Sequence, residues 1–207
     1  MFAVKTEKEI IIESITTALL SVAALICACA CALLYREFVP PAAAPAADLC
    51  ENPYGIRIHC EDELLLPGCF SELDKLPGSI LTRFKEEGWE LYVGTQYVAG
   101  VRAEYNNERI TGMTRPRYKS ILVSSGKEVF HEFGHFLYIE LGEPDSFKSI
   151  YEHDKTLVDV HPHFTSNDHE FFAEFFACYL DGEDVLESIP LTELYMSTLS
   201  QHGWITN

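Results

Sequence analysis

Positive charge is what this chain has least of: 15 Lys and Arg stand against 32 Asp and Glu in 207 residues, a formal net charge of −17. So acidic a surface repels a phosphate backbone, which excludes nucleic acid as a partner and leaves neutral or basic partners open. No internal repeat is present, and neither a phosphate loop nor a Gly-rich dinucleotide fingerprint occurs, so solenoid architectures and nucleotide-driven chemistry lose their usual signals. Cysteine is sparse and unevenly placed. Cys27, Cys29 and Cys31 fall in an apolar run, Cys50, Cys60 and Cys69 cluster further on, and Cys178 stands apart. The cluster's spacings of ten and nine residues match no zinc template. Pairing among its members would suit an oxidising compartment, with one cysteine left over and the connectivity open.

Residues 15–35 form a run of 21 without a charge, long enough to cross a bilayer. A membrane anchor over residues 1–36 is the expectation, with a cleaved signal segment as the rival reading and lipidation near Cys29 as a further one. Lys5 and Lys8 precede the run and Arg36 follows it, a small positive excess that favours the N-terminal side inside and the rest of the chain outside. Residues 37–47 are rich in Pro and Ala, a stiff spacer without a core of its own. About 160 residues, 48–207, then remain for one domain, enough for a proper core.

Within that domain His131-Glu132-Phe133-Gly134-His135 is an HExxH sequence in a stretch, residues 127–141, that reads as a helix. Residues four apart share a helix face, so His131 and His135 can aim ring nitrogens at one zinc ion. Zinc held there lowers the pKa of water to about 7, and Glu132, one step round, is placed to take the proton as that water attacks a carbonyl. Five residues can arise by chance, so context matters. The flanks Val129, Phe130, Phe133, Phe136, Leu137 and Ile139 are apolar, as in a buried helix with one polar edge. Gly142 and Pro144 follow where such a helix should stop.

Catalytic zinc takes three protein ligands, and the third is sought in residues 167–180. Asn167 or Asp168 can cap a helix and Gly182 can end it; nearly everything between is apolar except Glu170 and Glu174. Two carboxylates four apart on so apolar a helix are costly to bury unless something pairs with them. Zinc and its histidines would do so. Glu170 is assigned to the metal and Glu174 to the free ring N–H of a ligand histidine. His153, His161, His169 and His202 read as ordinary surface or core histidines, and Phe171, Phe172, Phe175 and Phe176 as core.

The paired motifs His-Glu-Phe-Gly-His and Glu-Phe-Phe-Ala-Glu, with Glu170 lying 35 residues after His135, resemble the catalytic domain of anthrax lethal factor and the secreted Pro-Pro endopeptidases. The likeness extends over about residues 76–204 and includes the 112–115 segment and a 145–151 helix. It implies a zincin-like metallopeptidase fold, His131, His135 and Glu170 as zinc ligands, Glu132 as general base, and a peptide or protein substrate. Those peptidases carry a tyrosine seven residues before the ligand glutamate; here the position is His163, whose imidazole N–H would have to serve the oxyanion, unless Tyr151 reaches in instead.

The remaining pattern predicts an α+β domain, a small twisted sheet packed on the two metal-bearing helices. Strands are expected at 55–59, 89–93, 98–103 and 121–124, and helices at 70–86 and from 127 on. The leading functional reading is a membrane-anchored zinc metalloendopeptidase acting outside the cytoplasm, or a secreted one if the N-terminal segment is cleaved. The alternative is a catalytically weak, lethal factor-like binding or toxin-associated module.

Overall fold

The computed structural model describes residues 49–205; the expected membrane segment, the spacer and the cysteines of the apolar run lie outside them. Among the described residues no helix is long and apolar enough to cross a membrane. Four strands and seven α-helices are present there: β1 (Arg57–Cys60), α1 (Leu66–Leu73), α2 (Gly78–Glu86), β2 (Glu90–Val93), α3 (Thr95–Tyr105), β3 (Gly112–Arg115), β4 (Ser120–Val123), α4 (Val129–Glu140), α5 (Asp145–Asp154), α6 (Asp168–Asp181) and α7 (Pro190–Gln201).

The sheet runs in the order β1-β2-β4-β3. β1, β2 and β4 are parallel, and β3 pairs antiparallel with β4 as an edge strand. The fold is therefore α+β with a mixed sheet, and its first three helices are interleaved with the strands instead of following them all. Buried β4 alternates as a strand should: Ile121 and Val123 join the main core, and Leu122 joins Tyr97, Val98 and Val101 on the other face. The sheet packs chiefly on α4, and α6 lies against α4. The expectation that both helices back the sheet is corrected to that extent.

Two element expectations are also corrected. Residues 98–103 are not a strand but the middle of α3. The Glu61 carboxylate, just past β1, accepts the backbone N–H groups of Gln96 at 2.9 Å and Tyr97 at 2.7 Å. A remote side chain thus caps the helix start and overrides the β preference of its valines. The expected 70–86 helix is two helices, separated before Pro77, which lacks the N–H that a continuous helix needs and disfavours the helical form in its predecessor.

Aromatic packing dominates the core. Phe84, Phe133, Phe136, Phe171, Phe172, Phe175 and Phe176 are fully buried, each contributing about 1.5–3 kcal/mol relative to exposure. Phe84 meets Phe133 at 4.8 Å and Phe136 at 5.3 Å between ring centroids, seating α4 on α2.

Candidate active site

α4 has a defined start. In the 3-10 turn before it, Ser125 and Glu128 form a capping box, Glu128 Oε2 accepting the Ser125 N–H at 3.0 Å. From there Phe133, Phe136 and Leu137 point into the core. His131 and His135, one turn apart, emerge together into an open cleft of about 1200 Å³. Glu132 stands beside them, 5% exposed.

α6 brings a carboxylate opposite. Its N-cap is Asn167, whose side-chain oxygen accepts the backbone N–H of Glu170 at 2.9 Å and so fixes the turn that carries Glu170. The helix ends at Gly182, φ +69°. α4 and α6 approach closely at Gly134, where a Cβ would lie 2.7 Å from Ala173 Cα. Nearby, the Tyr138 hydroxyl donates to Asp168 at 2.6 Å and ties the helices a second time.

His131, His135 and Glu170 converge. The two Nε2 atoms are 3.2 Å apart, and Glu170 Oε2 is 3.3 Å from the first and 3.6 Å from the second. Tetrahedral zinc with bonds of about 2.0–2.2 Å separates its ligand atoms by about 3.3–3.6 Å. Two imidazoles that aim the same nitrogen at each other, with a carboxylate oxygen facing both, hydrogen-bond poorly and suit a cation well. Glu170 Oε2 is buried without an aligned donor despite those close nitrogens. Burial works against the charge on both partners, but the His131 and His135 imidazoles outweigh it and hold Glu170 well below the usual carboxylate range. Glu170 and Glu174 likewise outweigh burial and raise His131 to about 10. These three residues can hold a metal ion, and their donor set of two imidazoles and a carboxylate is of the kind zinc takes. Glu174 Oε2 lies 3.3 Å from His131 Nδ1, so the ring's other nitrogen is held as well.

Glu132 is gripped by β3. The Thr114 hydroxyl donates to Glu132 Oε2 at 2.7 Å and lies 2.9 Å from the Glu132 backbone oxygen. Gly112, two residues earlier on the same strand face, leaves room for the carboxylate; a Cβ there would lie 2.6 Å from Glu132 Oε1. Burial pushes the Glu132 carboxyl up, opposed by His135, His131 and the Thr114 bond. A raised carboxyl is closer to the pH at which a general base works best.

His163 sits on the loop between α5 and α6. Its side chain is 58% exposed, with Nε2 3.1 Å from Glu170 Oε2, at the rim and outside the three-residue group. Its backbone N–H donates to His161 Nδ1 at 3.2 Å. Tyr151 is turned away, its hydroxyl donating to the Thr165 carbonyl at 3.0 Å. Of the other histidines, His161 and His169 line the cleft, whereas His153 is paired with Asp154 at 2.8 Å and His202 Nδ1 lies 2.8 Å from the Thr198 carbonyl. Gly112 and Thr114 were not foreseen as site residues. The alternation Gly-x-Thr could have pointed to them only once a strand was known to run there.

No family model matches the chain, and no curated protein matches it. Among solved structures it is similar to the Pro-Pro endopeptidase PPEP-2 from Paenibacillus alvei, with a TM-score of 0.53 and 18% identity, over 69% of this chain and 96% of that one. The likeness is one of fold, and it falls on the Pro-Pro endopeptidase side of the resemblance drawn from the motifs.

Proposed function

We propose that residues 48–207 form a zinc-dependent endopeptidase domain, distantly related to the Pro-Pro endopeptidases and, by its paired motifs, to the lethal factor catalytic domain. The observation that carries this reading is the convergence of His131, His135 and Glu170 at zinc-like spacing beside a buried Glu132, in one open cleft. Bound there, zinc supplies Lewis acidity, which polarises a scissile carbonyl and lowers the pKa of water to about 7. The chain's own groups do the rest. Glu132, oriented by Thr114, takes the proton of the attacking water and returns it to the leaving amine. Glu174 keeps His131 in place. His163 is the donor for the oxyanion that develops as the carbonyl is attacked.

The substrate is a peptide or protein, and a Pro-Pro endopeptidase as structural neighbour makes proline-rich peptides the first to try. The test is digestion of a peptide library by the purified chain, with loss of cleavage on chelation and its return with zinc. Zinc binding without turnover of any peptide would instead make the chain the binding or toxin-associated module.

We place the domain outside the cytoplasm, tethered by residues 1–36 through the 37–47 spacer. The uncharged 15–35 run and the preceding lysines support this. Full-length protein should then stay with membranes after alkaline extraction and begin at or near Met1. A mature N-terminus at Cys29, Ala32 or beyond would make it secreted.

A further inference from the structure

At the opposite edge of the sheet from β3, two cysteines meet. Leu49 bridges His59 in antiparallel fashion, and the Cys50 N–H donates to the Ile58 carbonyl at 2.9 Å. This register sets Cys50 opposite Ile58 and so on the same face as Cys60, its diagonal neighbour. Their thiols are hydrogen-bonded to each other, and Cys60 Sγ also donates to the Asp62 carbonyl at 3.0 Å. Asn52 closes the intervening loop, its side-chain amide donating to the carbonyls of Cys50 at 3.0 Å and Ile56 at 2.9 Å. Both cysteines are partly exposed, whereas Cys69 and Cys178 are buried; none is in a disulfide here.

We propose that Cys50 and Cys60 are an oxidation site, forming a disulfide that staples the first described residues of the domain to β1. The co-reactant is a small-molecule disulfide such as oxidised glutathione. One protein thiolate attacks it, forming a mixed disulfide and expelling one glutathione thiolate; the second protein thiolate attacks the mixed disulfide and expels the other. Two protein thiols are oxidised, one glutathione disulfide is reduced, and the two protons pass to the two glutathiones released. Closing the bond brings the two sulfurs to about 2.05 Å. Burial pushes the Cys60 thiol up to about 11, which makes it a slow attacking group at neutral pH. Cys69, fully buried and pushed up to about 12 chiefly by burial, is the cysteine left over. The staple holds Leu49 and Cys50 against the outer edge of β1. It belongs to a chain that meets an oxidising compartment, and it stands apart from the peptidase reading.

The test equilibrates the full-length chain, in mild detergent, with a mixture of oxidised and reduced glutathione, then blocks remaining thiols and maps peptides. Cleavage at Arg57 and Glu61 separates the three clustered cysteines. The expected result is a dominant Cys50–Cys60 link and a Tm roughly 5–10 °C above that of the reduced chain. Cys50→Ser and Cys60→Ser should each abolish both, and Cys69→Ser neither. A Cys60–Cys69 link, or a chain whose Cys50 and Cys60 both remain open to alkylation in the oxidising mixture, would overturn the proposal whatever the stability of the variants.

Discussion

Thr114 and Glu132 are locked to one another across the gap between β3 and α4, by a hydroxyl 2.7 Å from the carboxylate and 2.9 Å from the same residue's backbone oxygen. The contact gives Glu132 one orientation. Thr114→Val should therefore lower kcat by about 10- to 100-fold, the scale of a hydrogen bond to a charged group. Metal content should not change, and Thr114→Ser should recover most of the rate. Equal loss in Thr114→Val and Thr114→Ser would detach Thr114 from the base.

Glu132→Gln keeps the shape and the Thr114 contact but removes the proposed proton acceptor. Peptide cleavage should fall by roughly 10²- to 10⁴-fold while zinc, measured by elemental analysis, stays at one equivalent. Loss of the metal together with the activity would move Glu132 into the ligand set.

The metal itself separates Glu170 from Glu174. Glu170→Ala should leave less than half an equivalent of zinc. Glu174→Ala, which frees His131 Nδ1 but removes no ligand, should weaken metal affinity by roughly 10- to 100-fold. A competition titration with a chelator of known affinity reads both. Full retention of zinc by Glu170→Ala would sink the assignment.

At the rim, His163→Ala should lower kcat by roughly 10- to 1,000-fold with little change in zinc, and His163→Tyr should restore much of it. His161→Ala, in a cleft-lining neighbour whose Nδ1 only receives the His163 backbone N–H, is the control. Similar losses at both positions, or none at His163, would remove His163 from the reaction.

Stability has its own buried carboxylate. Asp154, fully buried at the end of α5, accepts the Thr192 N–H and hydroxyl, both at 2.8 Å, near the start of α7. Asp154→Ala orphans that N–H and should cost about 2–4 kcal/mol in denaturant unfolding. A loss below about 0.5 kcal/mol would mean that α7 docks by its apolar face alone.

The parts of this molecule that were legible in its sequence are those whose cause is local. His131 and His135 declare a shared face by spacing, and Asn167 and Gly182 mark the limits of α6 by their own chemistry. Where the cause lies far along the chain, the local sequence does not show it. α3 looked extended because nothing within it shows that Glu61, more than thirty residues upstream, caps it. β3 went unassigned as a strand because Gly112-Met113-Thr114-Arg115 has little strand character; its pairing with β4 and its grip on Glu132 make it one. Thr114 and Gly112 followed β3 out of sight. Pro77 was a visible break that the apolar pattern on either side concealed.

At Gly134 the bare backbone of one helix rests on the backbone of the other at Ala173. Soft side chains could yield there; main chain against main chain cannot. A methyl group at position 134 would act as a wedge, prying α4 from α6 and moving Glu170 away from both imidazoles without touching a single ligand atom. The hydrogen atom of Gly134 is thus the gauge for the bite of the site, and the second unspecified position of the HExxH motif is, in this chain, the one least free to vary.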